Sequence, residues 1–225
     1  MLPVLLLWLY RKYSKNLVPA LRSLIVVLLG LPYFLIAALL FFLLLQKNAA
    51  GQTLQFHVLK GKEAIGWLTV STGDEGAVRQ ISVQSHLDFR ILFRYQIDVT
   101  EEVALLDNQI QSALLLRTMN GEEKIKRSKI RSGNKLEVID AGQHRFEAIP
   151  RLEFHVLQLY LKEPVGIKEV YSEKFQQAVP VQQNGPHSYI LSLPDGNQNI
   201  YYYTNGACTR IRITSTFFSA EIVKR

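Results

Sequence analysis

The chain has 225 residues, 48% hydrophobic and 20% charged, with a formal net charge of +7. That charge is lopsided: Arg11, Lys12, Lys15, Arg22 and Lys47 stand in the first 51 residues with no acid, leaving 21 basic against 19 acidic residues from Gln52 onward. A basic flank ahead of a nearly neutral remainder gives no footing for nucleic-acid binding, and a lone cysteine, Cys208, rules out an internal disulfide.

The stretch from Leu24 to Leu45 carries no charged residue. About 20 apolar residues suffice to cross a bilayer as a helix, and basic residues ahead of such a span stay on the cytoplasmic side. The remainder of the chain is therefore expected to be exported, to the periplasm or cell envelope. Two fates of the leader fit. Ala49 and Gly51 form a small-x-small cleavage pattern that would make Gln52 the mature start; the length of the apolar run instead suits a retained membrane anchor. No cysteine follows the run, which excludes a diacylglyceryl-cysteine anchor. The division expected is 1–51, signal peptide or N-terminal membrane anchor, and 52–225, one exported antiparallel β domain.

From Gln52 the chain is punctuated as a β meander. Strands are expected at 54–59, 64–72 and 77–90, the last with Ile81, Val83, Ser85, Leu87 and Phe89 on one face at the period of two that marks a half-buried strand. A further strand at 91–105 leads to 110–119, apolar on both faces around Leu114-Leu115-Leu116 and so placed centrally. Asn120-Gly121 is a strong hairpin signal, since both residues tolerate the positive φ of a type I′ turn. Strands at 122–131, 135–140 and 143–149 precede Pro150. The segment from Arg151 to Leu161 is read as a short helix, with Leu152, Val156 and Leu159/Tyr160 at helical spacing after a proline suited to a first turn. Strands at 167–172, 178–182, 187–193, 198–204, 207–214 and 217–223 follow, turning at Asn184-Gly185, Pro194-Asp195-Gly196 and Asn205-Gly206. Short strands with turn signals every 8–12 residues indicate a barrel or sandwich.

The run Leu159-Tyr160-Leu161-Lys162-Glu163-Pro164-Val165-Gly166 with Val170-Tyr171-Ser172-Glu173 resembles a signature of an exported bacterial family catalogued as a domain of unknown function. Phe56 to Gly66 and Leu193-Pro194-Asp195-Gly196 with Asn199 to Gly206 match the same pattern, so the resemblance spans nearly all of 52–223. It implies a layout similar to the open antiparallel half-barrels of periplasmic lipoprotein-localisation carriers: a curved sheet with one short helix and no assigned catalytic residues. The chain departs from the family in the extra apolar fragment from Leu2 to Tyr10.

A search for chemistry returns mostly negatives. There is no Gly-x-Ser-x-Gly, phosphate loop, dinucleotide glycine pattern or His-Glu-x-x-His. His57, His86, His144, His155 and His187 fall in different expected elements and read as scattered surface or rim residues; no metal and no cofactor is expected. Glu163 and Glu173 flank the family-like run and would be the acid/base pair if there were one, although charges at loop mouths are usually just solvated. Lys124, Lys126, Arg127, Lys129, Arg131 and Lys135 could lie against anionic head groups, or protect a sheet edge from association. Tyr201-Tyr202-Tyr203 puts aromatic surface on both faces of one strand.

The function expected is non-catalytic: a sheet that holds an apolar or lipid-like ligand, with Tyr160, Glu163, Glu173, Tyr201 and Tyr203 at the site. The alternative is a membrane-tethered structural or protein-interaction module, and an envelope hydrolase is a remote third.

Overall fold

The computed structural model describes residues 51–90, 93–150, 152–214 and 219–225. The run from Leu24 to Leu45, its basic flank, and Arg151 lie outside the described residues. Among the described residues no helix is long and apolar enough to cross a membrane.

The architecture is mainly β. Its strands are β1 (Thr53–Lys60), β2 (Glu63–Glu75), β3 (Val78–Arg90), β4 (Arg94–Leu106), β5 (Gln109–Met119), β6 (Glu122–Ser132), β7 (Lys135–Asp140), β8 (Gln143–Ala148), β9 (Glu169–Ser172), β10 (Gln177–Gly185), β11 (Ser188–Ser192), β12 (Gln198–Thr204), β13 (Ala207–Thr214) and β14 (Ser219–Lys224). They form one 14-stranded antiparallel sheet in the order β8-β7-β6-β5-β4-β3-β2-β1-β14-β13-β12-β11-β10-β9. Two meanders, β1 to β8 and β9 to β14, are joined where β1 pairs with β14, with Phe56 opposite Lys224 and Val58 opposite Ile222. The sheet is open: among the described residues no strand ladder joins its end strands β8 and β9.

Alternation along the strands decides which face is core. Leu54, Phe56 and Val58 of β1, Ile81 and Val83 of β3, Leu136 and Val138 of β7, and Val179 and Val181 of β10 are all buried at two-residue spacing. Register shifts at Val58/Leu59, Ala104/Leu105, Arg117/Thr118 and Tyr202/Tyr203 bend the strands and increase their twist, as bulges do. At Gly66 the sheet is too tight for any side chain: an added Cβ would sit 2.0 Å from the His86 carbonyl oxygen.

The connection from β8 to β9 fills the concave side. Leu152, Phe154, Leu157 and Leu159 are buried within the core. The helix expected from Arg151 to Leu161 is corrected to a single 3₁₀ turn over Val156–Tyr160. Leu152 and Phe154 enter the core at extended, two-residue spacing, and His155 holds extended dihedrals (φ −98°, ψ 145°) while capping the turn. Its Nδ1 accepts from the Leu157 N–H (3.2 Å), and its own N–H donates to Gln158 Oε1 (2.7 Å). The turn touches both β3 and β13, strands separated in the sheet by β2, β1 and β14, so the sheet wraps around it.

Two other expectations are corrected. β6 lies third from the β8 end, flanked by β5 and β7, so its lysines and arginines do not protect an edge. The hairpin assigned to Asn184-Gly185 turns instead on Pro186 and His187: β10 runs on through Gly185, and His187 takes φ 53°. A proline followed by a left-handed residue is the sequence of a type II turn. Asn120-Gly121 and Asn205-Gly206 have the expected positive φ at both residues. β5 sits between β4 and β6, with Leu115 buried on the core face and Leu114 and Leu116 half-buried on the other.

Residues 49–225 form a compact unit. Among the described residues the hydrophobic core of this unit runs from Leu54 to Ile222.

Candidate functional site

Inside the curve lies a cavity of about 460 Å³, within the range of small-molecule sites. Leu87 and Phe89 of β3 and Ile97 of β4 form one wall; Leu191, Tyr201 and Ile213 of β11, β12 and β13 form the other. Val156, Leu157 and Tyr160 of the 3₁₀ turn close the space between them, and Lys174, Phe175 and Leu193 lie at the rim. Lys174 is tied there to Asp195 at 2.8 Å. The Tyr160 ring packs edge-on against Phe56 and Tyr201, with centroids 6.1 and 6.2 Å away.

Glu101 from β4, Arg117 from β5 and Asn199 from β12 face this apolar space, and Ser172 and Asn197 also line it. Among the described residues, six buried side-chain polar atoms lack a hydrogen-bond partner, and Glu101 Oε1, Arg117 Nε and Asn199 Oδ1 are three of them. Buried groups of this kind are rare, because each costs about 1–3 kcal/mol. Glu101 stands opposite Leu115 and Arg117 opposite Val99 on adjacent strands, yet no ion pair joins them. Part of Glu101's surface opens to the cavity while Oε1 has no solvent contact. Burial pushes its pKa up to about 8, with the Glu173 carboxylate adding to the rise. Burial likewise raises the Tyr160 and Tyr201 hydroxyls, keeping them protonated.

The Glu101 environment has a stability consequence. A carboxyl raised in the folded state contributes stability that is whole below its ordinary value of 4.5 and lost as pH climbs through about 8. Glu101→Gln removes that loss. At about 1.4 kcal/mol per pKa unit and about 2–4 °C per kcal/mol, the variant should melt at least ~5 °C above the parent at pH 9 and within ~2 °C of it at pH 5. Scanning calorimetry at the two pH values checks this, and parallel melting curves would refute the assignment.

Beside the cavity a second polar cluster joins the two ends of the sheet. Lys129 of β6, 1% exposed, places Nζ 2.9 Å from Glu173 Oε2 and donates to the Tyr171 hydroxyl at 2.9 Å. Arg127 reaches Asp140 of β7 and the Glu173 carbonyl, both at 2.8 Å. Arg145 of β8 donates to Glu147 at 2.8 Å and to Gln176 at 2.6 Å. Burial alone would lower the Lys129 pKa, but the Glu173 carboxylate and the Tyr171 hydroxyl outweigh it and leave it raised. Burial raises Glu173, with Lys129 offsetting part of the rise. His155, fully buried next to this cluster, is held neutral: burial first, and then the Lys129 charge, lower its pKa to about 3.

The residues singled out from the sequence are distributed over these features. Tyr160 and Tyr201 line the cavity. Tyr203 stands outside its lining, buried, with its hydroxyl donating to the Leu159 carbonyl at 2.8 Å. Glu163 accepts from the Tyr189 hydroxyl at 3.0 Å and meets His187 Nδ1 at 3.1 Å. Glu173 belongs to the Lys129 cluster, so the two glutamates sit in separate networks. The basic residues of β6 divide by face. Lys124 and Lys126 are exposed and paired with Glu122 and Glu123, Arg127 and Lys129 join the buried cluster, and Arg131 bonds Gln109 and the Gly133 carbonyl. His155 is corrected from a surface residue to a buried cap. His57, His86 and His144 each meet a polar partner at the surface: Arg225, Asp98 and Glu137. No group of three or more potential metal ligands occurs among the described residues. Cys208 is fully buried.

Glu101, Arg117 and Asn199 were not picked out from the sequence, although a signal was present. Glu101 shares its parity with Ile97 and Val103, Arg117 with Ala113 and Leu115, and Asn199 with Tyr201 and Tyr203. Three polar residues thus stand in register with apolar faces.

Fold and cavity together define an antiparallel β domain built around an apolar interior with a few polar groups. The chain belongs to the family described as a domain of unknown function, DUF6134, whose model matches residues 56–225. Among solved structures, the crystal structure of a β-barrel-like protein of domain of unknown function DUF1849 from Brucella abortus is similar, at 9% identity and a TM-score of 0.48, covering 77% of this chain and 95% of that one. No curated protein matches the chain.

Proposed function

We propose that this protein is a non-catalytic binding module in which the curved sheet acts as an open half-barrel, holding the apolar part of a lipid-like molecule against the 3₁₀ turn. The observation that carries this reading is the 460 Å³ cavity, walled by Leu87, Phe89, Ile97, Leu191, Tyr201 and Ile213 and entered at Phe175 and Leu193. Burying an acyl chain there contributes about 0.8 kcal/mol per methylene, so some ten carbons give useful affinity after the cost of association. The apolar run from Leu24 to Leu45 and its basic flank support an exported domain held at the membrane if the leader is retained, which would set the cavity near a source of such ligands.

The test is a titration of residues 49–225 with an environment-sensitive fluorescent fatty acid. Saturable enhancement of emission is expected, reduced at least tenfold in affinity by Leu193→Glu at the rim. A linear, unsaturable response identical in the variant would overturn the reading.

The docking alternative would use the outer face, where Ile130 and Phe146, 59% and 62% exposed, stand in one row across β6 to β8 with Glu137 between them. A row of two apolar side chains divided by a carboxylate is less than the contiguous patch such a surface needs.

A further inference from the structure

We infer that the cavity selects an amphiphile with a single carboxylate head group, held between Arg117 and Asn199 with Glu101 as a hydrogen-bond donor. The inference rests on the lipid-binding reading above and adds the chemistry of the head.

Arg117 brings a permanent cation to the cavity wall, with Nε buried and unpartnered. Its guanidinium matches planar anions with two acceptor oxygens, carboxylate or phosphate, through paired N–H donors. The one carboxyl lining the cavity, Glu101, does not pair with it. Because burial holds Glu101 protonated at neutral pH, that carboxyl offers an O–H rather than a countercharge. Asn199 Oδ1, on the opposite wall, is a buried acceptor without a partner, while the same side chain bonds the Tyr201 hydroxyl beside it. The cavity therefore presents one cation without a carboxylate partner, one neutral carboxyl donor and the Asn199 amide, with Ser172, Asn197 and the Asp195-bound Lys174 completing its polar lining. A ligand carboxylate can accept from Arg117 and Glu101 together, and a hydroxyl close to that head would satisfy Asn199.

The same surroundings choose between anions. Glu173 lies close enough to add to the Glu101 pKa shift, and Lys129 already neutralises it; Lys174 at the rim is taken by Asp195. Arg117 is thus the only cation lining the cavity without a carboxylate partner among the described residues, and a dianionic phosphate head would leave one negative charge uncompensated beside Glu101. A monoanion fits the charge count.

The experiment is calorimetric titration of residues 49–225 with dodecanoate, methyl dodecanoate, dodecanol, dodecyl phosphate and dodecylamine, all below their aggregation limits at pH 7, and of Arg117→Gln with the same series. Dodecanoate should bind at least tenfold more tightly than the ester and the alcohol. Arg117→Gln should lower dodecanoate affinity at least tenfold while leaving dodecanol unchanged. Equal affinity for acid, ester and alcohol would overturn the head-group inference and leave the apolar site standing. Tighter binding of the phosphate or the amine would overturn the choice of a carboxylate. Binding of none of the five would remove the lipid-binding reading itself. The parent's head-group series decides the question even if Arg117→Gln fails to fold.

Discussion

Lys129→Met should lower the stability of residues 49–225 by about 3–5 kcal/mol, the usual loss when one partner of a buried ion pair is removed. Lys129 is 1% exposed and sits 2.9 Å from a Glu173 carboxylate that is equally buried and whose other oxygen, Oε1, already lacks a partner. Without the ammonium, Glu173 must take up a proton or remain a bare charge, and Tyr171 loses the donor to its hydroxyl. The double variant Lys129→Met/Glu173→Leu should recover most of the loss, because apolar residues of similar volume can replace a buried pair without penalty. Urea unfolding of the single and double variants measures both. A single variant within 1 kcal/mol of the parent would show that the pair does not hold the structure. The location of the damage is also specified. No ladder joins β8 to β9, so the side-chain bonds from β6 and β8 to residues 171–176 tie the ends of the sheet together. Amide exchange should accelerate first in β7 to β9 and least at β1 and β14.

Much of this architecture was legible in the residues because period-two alternation and Asn-Gly turns act locally. The strands at Lys135–Asp140, Gln198–Thr204 and Ala207–Thr214 coincide with the segments read from sequence. Reading failed where tertiary surroundings outweighed local pattern. Leu152, Val156 and Tyr160 carry helical spacing, but the core takes up Leu152 and Phe154 as extended chain, and His155 starts the turn only at Val156. Asn184-Gly185 is a fit turn sequence, yet Pro186 fixes the turn two residues later, at Pro186-His187.

The site was half legible for a related reason. Tyr160 and Tyr201 are apolar in bulk and reveal themselves by pattern. Glu101 and Arg117 are charged residues next to Glu102 and Thr118, which face outward, so residue type alone places them in solvent. Only strict parity with Val103 and Leu115 puts them inside, and the register shifts at Ala104/Leu105 and Arg117/Thr118 weaken that parity argument just where it is needed. The buried cluster of Lys129 and Glu173 joins residues 44 positions apart through the curvature of the whole sheet, which no local pattern encodes.

The second large effect expected is the response of the cavity walls to a ligand. An acyl chain in the interior must touch Val156 and Leu157 of the turn, Leu191 of β11 and Ile213 of β13 at once, because the sheet wraps those elements around one space. Leu114, Leu116 and Ile130 lie on the outer face and should not respond. Methyl NMR spectra of residues 49–225, recorded while decanoate is added, measure the two sets side by side. The account predicts saturating shifts at Val156, Leu157, Leu191 and Ile213 with the outer methyls unmoved. Shifts centred on Ile130 and its outer-face neighbours, or none that saturate, would contradict it.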